Sequence, residues 1–172
     1  MIAVAVDTRA DFDGVAQSFA AICREGDVVL LSGDLGAGKT AFVQAAGRAL
    51  GADDPITSPT YVLLQQYQGS TLQVLHADLY RLETPEALAQ LDLTELIEDD
   101  AVAFIEWGER SAEFFRERCE ITIAASSCTP NDVLDDAANE SPRRFTFSGV
   151  GSDWNARLEK FVSTLAPDLL QS

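Results

Sequence analysis

The chain has 172 residues, 47% of them hydrophobic, and its 28 acidic and 12 basic side chains give a formal net charge of −16. A chain of this size buries enough apolar surface to fold without disulfides or a structural metal, so we expect one domain over residues 1–172. The negative charge argues against a surface that neutralises nucleic-acid phosphates, and we expect no direct DNA binding. An acidic surface of this kind either keeps the protein soluble or faces a basic partner.

The cysteines are Cys23, Cys119 and Cys128, without a C-x-x-C pair. This odd number argues against a disulfide framework or a zinc site and is typical of a reducing compartment. The amino terminus lacks the basic and apolar regions of a signal peptide. No apolar run approaches the roughly 20 residues of a membrane span. We therefore expect a cytoplasmic protein without a membrane partner.

The first part of the chain predicts strands alternating with helices. IAVAV (2–6) is typical of a strand, and the apolar spacing after it predicts a helix capped by Asp7 or Thr8. DVVLLSG (27–33) is a continuous apolar run, as in a strand buried on both faces of a parallel sheet. KTAFVQAAGRALG (39–51) predicts a helix that ends at its final glycine.

The rest of the chain adds a hairpin and further strands. YVLLQQYQ (61–68) and TLQVLHADLY (71–80), joined by Gly-Ser, predict a β-hairpin. The other predicted elements are an acidic helix over 84–100, a buried strand over 101–108, a short helix over 109–118, strands over 119–126 and 143–150 around a loop at 127–142, and an amphipathic helix over 152–166. This order predicts an α/β fold, with a central, mostly parallel sheet flanked by helices and an antiparallel β-hairpin.

GDLGAGKT, at 33–40, matches the phosphate-binding pattern G-x-x-x-x-G-K-[ST] between a predicted buried strand and a predicted helix. Glycines at these positions let backbone N–H groups and the helix N-terminus approach a phosphate. Lys39 would contact the β- and γ-phosphates and Thr40 a magnesium ion. The chain contains only two lysines, so Lys39 at this position argues against an ordinary glycine-rich turn. The predicted nucleotide contacts are Asp34, Leu35, Gly36, Ala37, Gly38, Lys39, Thr40 and Ala41.

Two acidic residues are candidates for the carboxylate that acts on the metal ion or on the attacking water. Asp78 and Glu106 each end an apolar run, and either could hold a metal-bound water, polarise the attacking water or merely cap a turn. These patterns do not rank them. His76 is a structural or a catalytic histidine, and Trp107 either stacks on a ligand or fills core. The sequence TSPTY (57–61) is either a plain turn or a loop that senses a γ-phosphate.

Four motifs occur in order: GDLGAGKT, SPTY at 58–61, HADLYRL at 76–82 and IEWGE at 105–109. With them the chain resembles the TsaE (YjeE) family of small bacterial ATPases. The resemblance implies ATP and Mg²⁺ as cofactors and a role in threonylcarbamoylation of adenosine 37 in tRNAs that read ANN codons. The partners implied are TsaD and TsaB, which perform the transfer from threonylcarbamoyl-AMP, so tRNA would be contacted indirectly through that complex.

The same resemblance implies a role for each site residue. Thr40 and Glu106 would be the magnesium ligands, Lys39 the phosphate contact, Asp78 a residue required for hydrolysis, and Trp107 a neighbour of the nucleotide. Lys39, Asp78 and Glu106 are thus the candidate catalytic residues.

Two features depart from the family pattern. Ala41 stands where many relatives carry a second threonine, which would remove one side-chain contact to the α-phosphate. The segment 126–142 is longer than in compact relatives.

Other nucleotide-dependent functions fit the pattern less well. A GTPase needs an N-K-x-D guanine reader, and Lys160, the other lysine, is followed by Phe-Val-Ser. A small-molecule kinase shares the fold but needs an acceptor pocket and usually an arginine-bearing lid, and 110–118 contains only Arg110, Arg116 and Arg118. A nucleotide-dependent scaffold without turnover is the third alternative.

Overall fold

The computed structural model describes residues 1–59, 63–82, 97, 101–125 and 142–171. The helix predicted over 84–100 (apart from residue 97), the loop predicted at 127–142 (apart from Pro142) and the last two residues of TSPTY lie outside the described residues.

The described strands form one sheet. They are β1 (Ile2–Val6), β2 (Val28–Ser32), β3 (Leu64–Tyr67), β4 (Gln73–Asp78), β5 (Ala101–Glu106), β6 (Arg118–Ala125), β7 (Arg143–Val150) and β8 (Leu170–Gln171), in the order β3-β4-β5-β2-β6-β7-β1-β8. Strands β4, β5, β2 and β6 are mutually parallel, and the pairings outside them are antiparallel. The predicted α/β class, parallel centre and antiparallel hairpin (β3–β4) are confirmed. The short strand β8 was not predicted.

Three α-helices accompany the sheet in the part of the chain that the structure describes: α1 (Arg9–Ala20), α2 (Lys39–Ala49) and α3 (Ser152–Thr164). Of the two cap candidates before α1, Thr8 is the cap, because its hydroxyl accepts from Asp11 N–H at 3.1 Å. The short helix predicted over 109–118 is a 3-10 helix, Gly108–Phe114, and a second one spans Pro167–Leu169. None of the described helices is long and apolar enough to cross a membrane.

Strand β2 is buried on both faces. Val29 and Leu31 belong to the large core cluster that contains the inner faces of all three α-helices, whereas Val28 and Leu30 pack in a second cluster with Phe115. The large cluster is rich in aromatic rings, namely Phe12, Phe19, Phe42, Tyr67, Phe104, Phe145, Phe147, Trp154 and Phe161. Burying each such side chain contributes about 1.5–3 kcal/mol. The loop that follows β2 is therefore anchored at the centre of the sheet.

The strand register brings the functional motifs to one edge. Asp78, the last residue of β4, pairs with Glu106, the last residue of β5, and Glu106 in turn pairs with Leu31 of β2. The carboxyl ends of these parallel strands consequently meet at the loop between β2 and α2. In open α/β sheets this edge is where ligands bind.

Candidate functional site

The loop that joins β2 to α2 requires glycine at particular positions. Gly33, Gly36 and Gly38 have φ angles of 137°, 77° and 111°, which side-chain-bearing residues rarely adopt. A Cβ at Gly33 would lie 2.1 Å from the carbonyl oxygen of Ile123, and one at Gly38 would lie 3.2 Å from the ring of Phe12. Gly33 and Gly38 are thus required by backbone and space together, and Gly36 by backbone alone.

Lys39 begins α2, and its ammonium group lies inside the loop. The side chain is buried, and Nζ donates to the carbonyl oxygens of Gly33 at 2.7 Å and Asp34 at 2.9 Å. Nζ also lies 3.9 Å from the centroid of the Trp107 ring. Burial lowers the pKa of Lys39, and the negative charge of Glu106 only partly opposes this. A bound anion would restore the preference for the charged form.

Glu106 is the centre of a hydrogen-bonded group. Its Oε1 accepts from the Thr40 hydroxyl at 2.7 Å and pairs with His76 Nε2 at 2.8 Å, and the residue is only 3% exposed. Because the Thr40 hydroxyl hydrogen is directed at Glu106, the oxygen lone pairs of Thr40 remain available to a cation. This arrangement joins the start of α2 to the end of β5.

Asp78 lies beside Glu106 at the end of the neighbouring strand. Its Oδ1 accepts from Tyr80 N–H at 3.0 Å, and its own N–H donates to the carbonyl of Leu63 at 3.0 Å. Leu63 has φ 66°, so a residue in the left-handed region holds the start of β3 against Asp78. The two carboxylates that sequence reasoning could not rank are therefore neighbours, and Glu106 is the one in contact with Thr40.

A cavity of about 300 Å³ lies over this group. It is lined by Leu35, Gly36, Gly38, Lys39, Thr40, Ala41, Ser58, Asp78, Tyr80, Glu106 and Trp107. Two predicted nucleotide contacts are not part of this lining. Asp34 contributes its carbonyl to Lys39, while Ala37 is buried and donates its N–H to that same carbonyl at 3.1 Å.

Trp107 occupies an unusual position at the end of β5. Its φ of 57° lies in the left-handed region, which is rare for a bulky residue, and strained residues of this kind cluster at active sites and ligand clamps. The half-buried ring lies 5.1 Å from the ring of Tyr80 and also packs against the second core cluster. Trp107 therefore contacts the core and also lines the cavity, while its stacking on a ligand stays a prediction.

The oxygen donors at the site are those that magnesium prefers. No group of three or more His, Cys, Asp or Glu side chains within the described ranges is arranged to hold a metal ion. A cation would therefore need the Thr40 hydroxyl and the Glu106 carboxylate together with phosphate and water oxygens. Mg²⁺ is commonly bound in this way, through one or two protein groups and the phosphates of a substrate.

Three further residues lie at the cavity or beside its loop. Ser58 lines the cavity and belongs to TSPTY, for which the sequence left a plain turn and a γ-phosphate-sensing loop open. Tyr80 also lines the cavity, and the sequence analysis did not single it out within HADLYRL. Arg143, at the start of β7, donates from Nε to the carbonyl of Ala37 at 3.1 Å. No local pattern could have revealed this contact between residues 106 positions apart.

The glycine-rich loop between a buried strand and a helix, with a carboxylate on the adjacent strand, defines an α/β protein with the P-loop type of fold. Residues 6–132 match the family model described as "Threonylcarbamoyl adenosine biosynthesis protein TsaE". The chain belongs to this family, so the resemblance inferred from its motifs is confirmed.

Individual relatives agree with the family model. A Bacillus subtilis protein named "tRNA threonylcarbamoyladenosine biosynthesis protein TsaE" is 31% identical over 147 residues, which cover 85% of this chain and 84% of the relative. A Streptomyces coelicolor protein of the same name is 34% identical over 143 residues, or 81% and 91% of the two chains. The crystal structure of Bacillus subtilis YdiB is similar, with a TM-score of 0.71 at 27% identity over 95% of this chain and 97% of that one.

Proposed function

We propose that the chain is an ATP-binding and Mg²⁺-dependent ATP-hydrolysing subunit of tRNA threonylcarbamoyladenosine synthesis. It would act with the TsaD–TsaB complex in the cytoplasm, enabling threonylcarbamoylation of adenosine 37 in tRNAs that read ANN codons. The observation that carries this proposal is the cavity that brings Lys39 and Thr40 of the loop to Asp78 and Glu106 at the strand ends. The names of the relatives supply the pathway.

Each residue of the site has a separate task in this proposal. The loop amides and the N-terminus of α2 hold the phosphates, and Lys39 neutralises charge on the β- and γ-phosphates. Thr40 and Glu106 hold Mg²⁺, which when bound polarises the phosphate oxygens. Asp78, adjacent to Glu106 and at the cavity wall, orients the attacking water. Trp107 keeps Lys39 within the site by its cation–π contact.

We expect slow hydrolysis by the isolated chain. The cavity lining, as far as the structure describes it, contains no arginine that could stabilise transition-state charge. Arg110 donates to the carbonyl of Leu82 at 3.2 Å, and Arg118 donates to Glu120 at 2.8 Å. These contacts also disfavour the kinase alternative, because they occupy two of the arginines that an arginine-bearing lid would need.

The charge of the chain suggests how tRNA is handled. With a net charge of −16, the protein repels the phosphate backbone, so the partner subunits rather than this chain would hold the tRNA. Tight tRNA binding by the isolated chain at physiological salt would contradict this part of the proposal.

The test is reconstitution with the TsaD–TsaB pair, tRNA, ATP and Mg²⁺, scoring tRNA modification and phosphate release together. We expect Lys39→Ala to abolish both, while Lys160→Ala, which alters the other lysine at an exposed position on α3, leaves both unchanged. Normal modification with Lys39→Ala would refute the proposal. Glu106→Ala distinguishes the proposed ATPase from the scaffold alternative. A scaffold without turnover would still support tRNA modification when hydrolysis is lost, whereas the proposed ATPase would not.

A further inference from the structure

His76 is the one histidine of the chain, and it lies in the wall of the site without lining the cavity. It is fully buried on β4, two residues before Asp78, and its register partner on β5 is Phe104, two residues before Glu106. Alternation along the strands therefore places His76, Asp78 and Glu106 on the same face of the sheet. The ring reaches the Glu106 carboxylate, with Nε2 2.8 Å from Oε1.

The contact defines the donor of the pair. An ionised carboxylate only accepts hydrogen bonds, so we assign the hydrogen to His76 Nε2. In a neutral ring this leaves Nδ1 as an acceptor. Nδ1 is buried and has no hydrogen-bond partner among the described residues. A buried polar atom without a partner lowers stability, so packing and stability alone do not account for a histidine here.

The contact also limits how Glu106 can move. The terminal torsion of a glutamate is broad and does not by itself hold the carboxylate in one plane. Here Oε1 receives the Thr40 hydroxyl from α2 and the His76 ring from β4, so donors from two different elements fix the same oxygen. Oε2 accepts no hydrogen bond from the described residues and remains available to other partners.

We propose that His76 is a positioning residue for the magnesium site. Its Nε2–H holds the Glu106 carboxylate against Thr40 in the orientation that receives Mg²⁺ together with the nucleotide. The inference rests on the proposed function, because it assumes that Thr40 and Glu106 take the metal. Groups that orient a metal ligand in this way commonly change metal affinity by about 10–100-fold when they are removed.

A matched pair of variants tests this role. Gln and Met have unbranched side chains of similar length, but only Gln carries an N–H donor that can take the place of Nε2. The quantity to measure by calorimetry is the ratio of ATP affinity with Mg²⁺ to ATP affinity with EDTA. We expect His76→Met to lower this ratio by about 10-fold or more, and His76→Gln to keep it within about 3-fold of the wild type. ATP affinity in EDTA is expected to be equal for all three proteins.

A double-mutant cycle shows whether His76 acts through Glu106. In a Glu106→Ala background, exchanging His76 for Met is expected to have no further effect on the ratio. Equal ratios for the Gln and Met variants would overturn the inference, as would an equal loss of affinity with Mg²⁺ and with EDTA, which marks a merely structural role. If His76→Met fails to fold, His76→Phe, which keeps a ring without a donor, takes its place in both comparisons. A wild-type protein whose ATP affinity does not depend on Mg²⁺ would overturn the assignment of the metal site as well.

Discussion

Strand β2 has a buried group of charged residues at each of its ends, and the two groups differ in one respect. Before the strand, both carboxylate oxygens of Asp27 accept from the guanidinium of Arg157, with Nη2 at 2.8 Å from Oδ1. After the strand, Lys39 donates only to carbonyl oxygens among the described residues, and Glu106 accepts from neutral or weakly basic groups. The first group pairs a guanidinium with a carboxylate, whereas among the described residues Lys39 forms no ion pair with a carboxylate.

The pKa values of the two buried cations, Arg157 and Lys39, are shifted in opposite directions. Burial by itself lowers the pKa of Arg157, but the hydrogen bond to Asp27 and the charges of Asp27 and Asp153 outweigh it, so that the pKa is raised. Arg157 also lies 3.8 Å from the centroid of the Trp154 ring. Burial lowers the pKa of Lys39, and the carboxylates nearby do not compensate. A buried cation paired with a carboxylate of the chain stabilises the fold, and one without such a pair among the described residues is a candidate for binding a charged ligand.

The largest loss of stability is expected from breaking the ion pair between Asp27 and Arg157. Asp27→Ala leaves the buried Arg157 guanidinium with only the exposed Asp153 carboxylate, 2.8 Å from Nε, which should lower the free energy of unfolding by about 3 kcal/mol. Urea unfolding measures this loss, and ATP affinity at a temperature where the variant is folded should equal that of the wild type. A selective loss of ATP affinity would contradict the separation between the two ends of β2.

The converse change is Lys39→Met, which removes the buried ammonium and keeps an unbranched side chain. Because a hydrogen bond to a charged group contributes about 1.5–3 kcal/mol, ATP affinity should fall by about 100-fold. The free energy of unfolding should change little, because removing the desolvated ammonium offsets the loss of its hydrogen bonds to Gly33 and Asp34. Calorimetry and urea unfolding give the two values, and a large loss of stability would show that Lys39 belongs to the fold.

A smaller effect is expected at Thr40. Thr40→Val keeps the shape of the side chain but removes the hydroxyl shared with Glu106, so the Mg²⁺ concentration for half-maximal ATP hydrolysis should rise by about 10-fold. Thr40→Ser retains the hydroxyl and is the matched control, for which little change is expected. If Val and Ser behave alike, the hydroxyl does not contact the metal.

The smallest effect concerns Cys119, which lies on β6 opposite Val29 in the fully buried centre of the sheet. Burial strongly raises the pKa of the Cys119 thiol, so the reactive thiolate is scarce. We expect no alkylation of Cys119 in the native protein at pH 8 and complete alkylation in urea, measured by mass spectrometry of the peptide. Rapid native labelling would show that the interior next to the Asp27–Arg157 pair opens readily.

Local sequence patterns predicted those structural features whose physical cause lies in neighbouring residues. The unbroken apolar run of β2 predicts a strand buried on both faces, and the glycines before Lys39 predict a backbone with positive φ angles. The sequence offered two neighbouring residues, Asp7 and Thr8, as the cap of α1, and the hydrogen bond from Asp11 N–H to the Thr8 hydroxyl identifies Thr8 as the cap. By contrast, β8 is a two-residue strand that exists through its pairing with β1, and its own sequence predicts little.

The order of elements, the glycine-rich loop at 33–40 and the identity of the candidate acids were determined by the sequence, because each depends on residues that are near one another in the chain. The contacts that these acids make were determined by the tertiary structure. The register of β4 and β5 places Glu106 between Thr40 and His76, and a contact across 130 positions pairs Asp27 with Arg157. Hydrogen-bond partners across a sheet depend on strand order and register, which no local periodicity encodes.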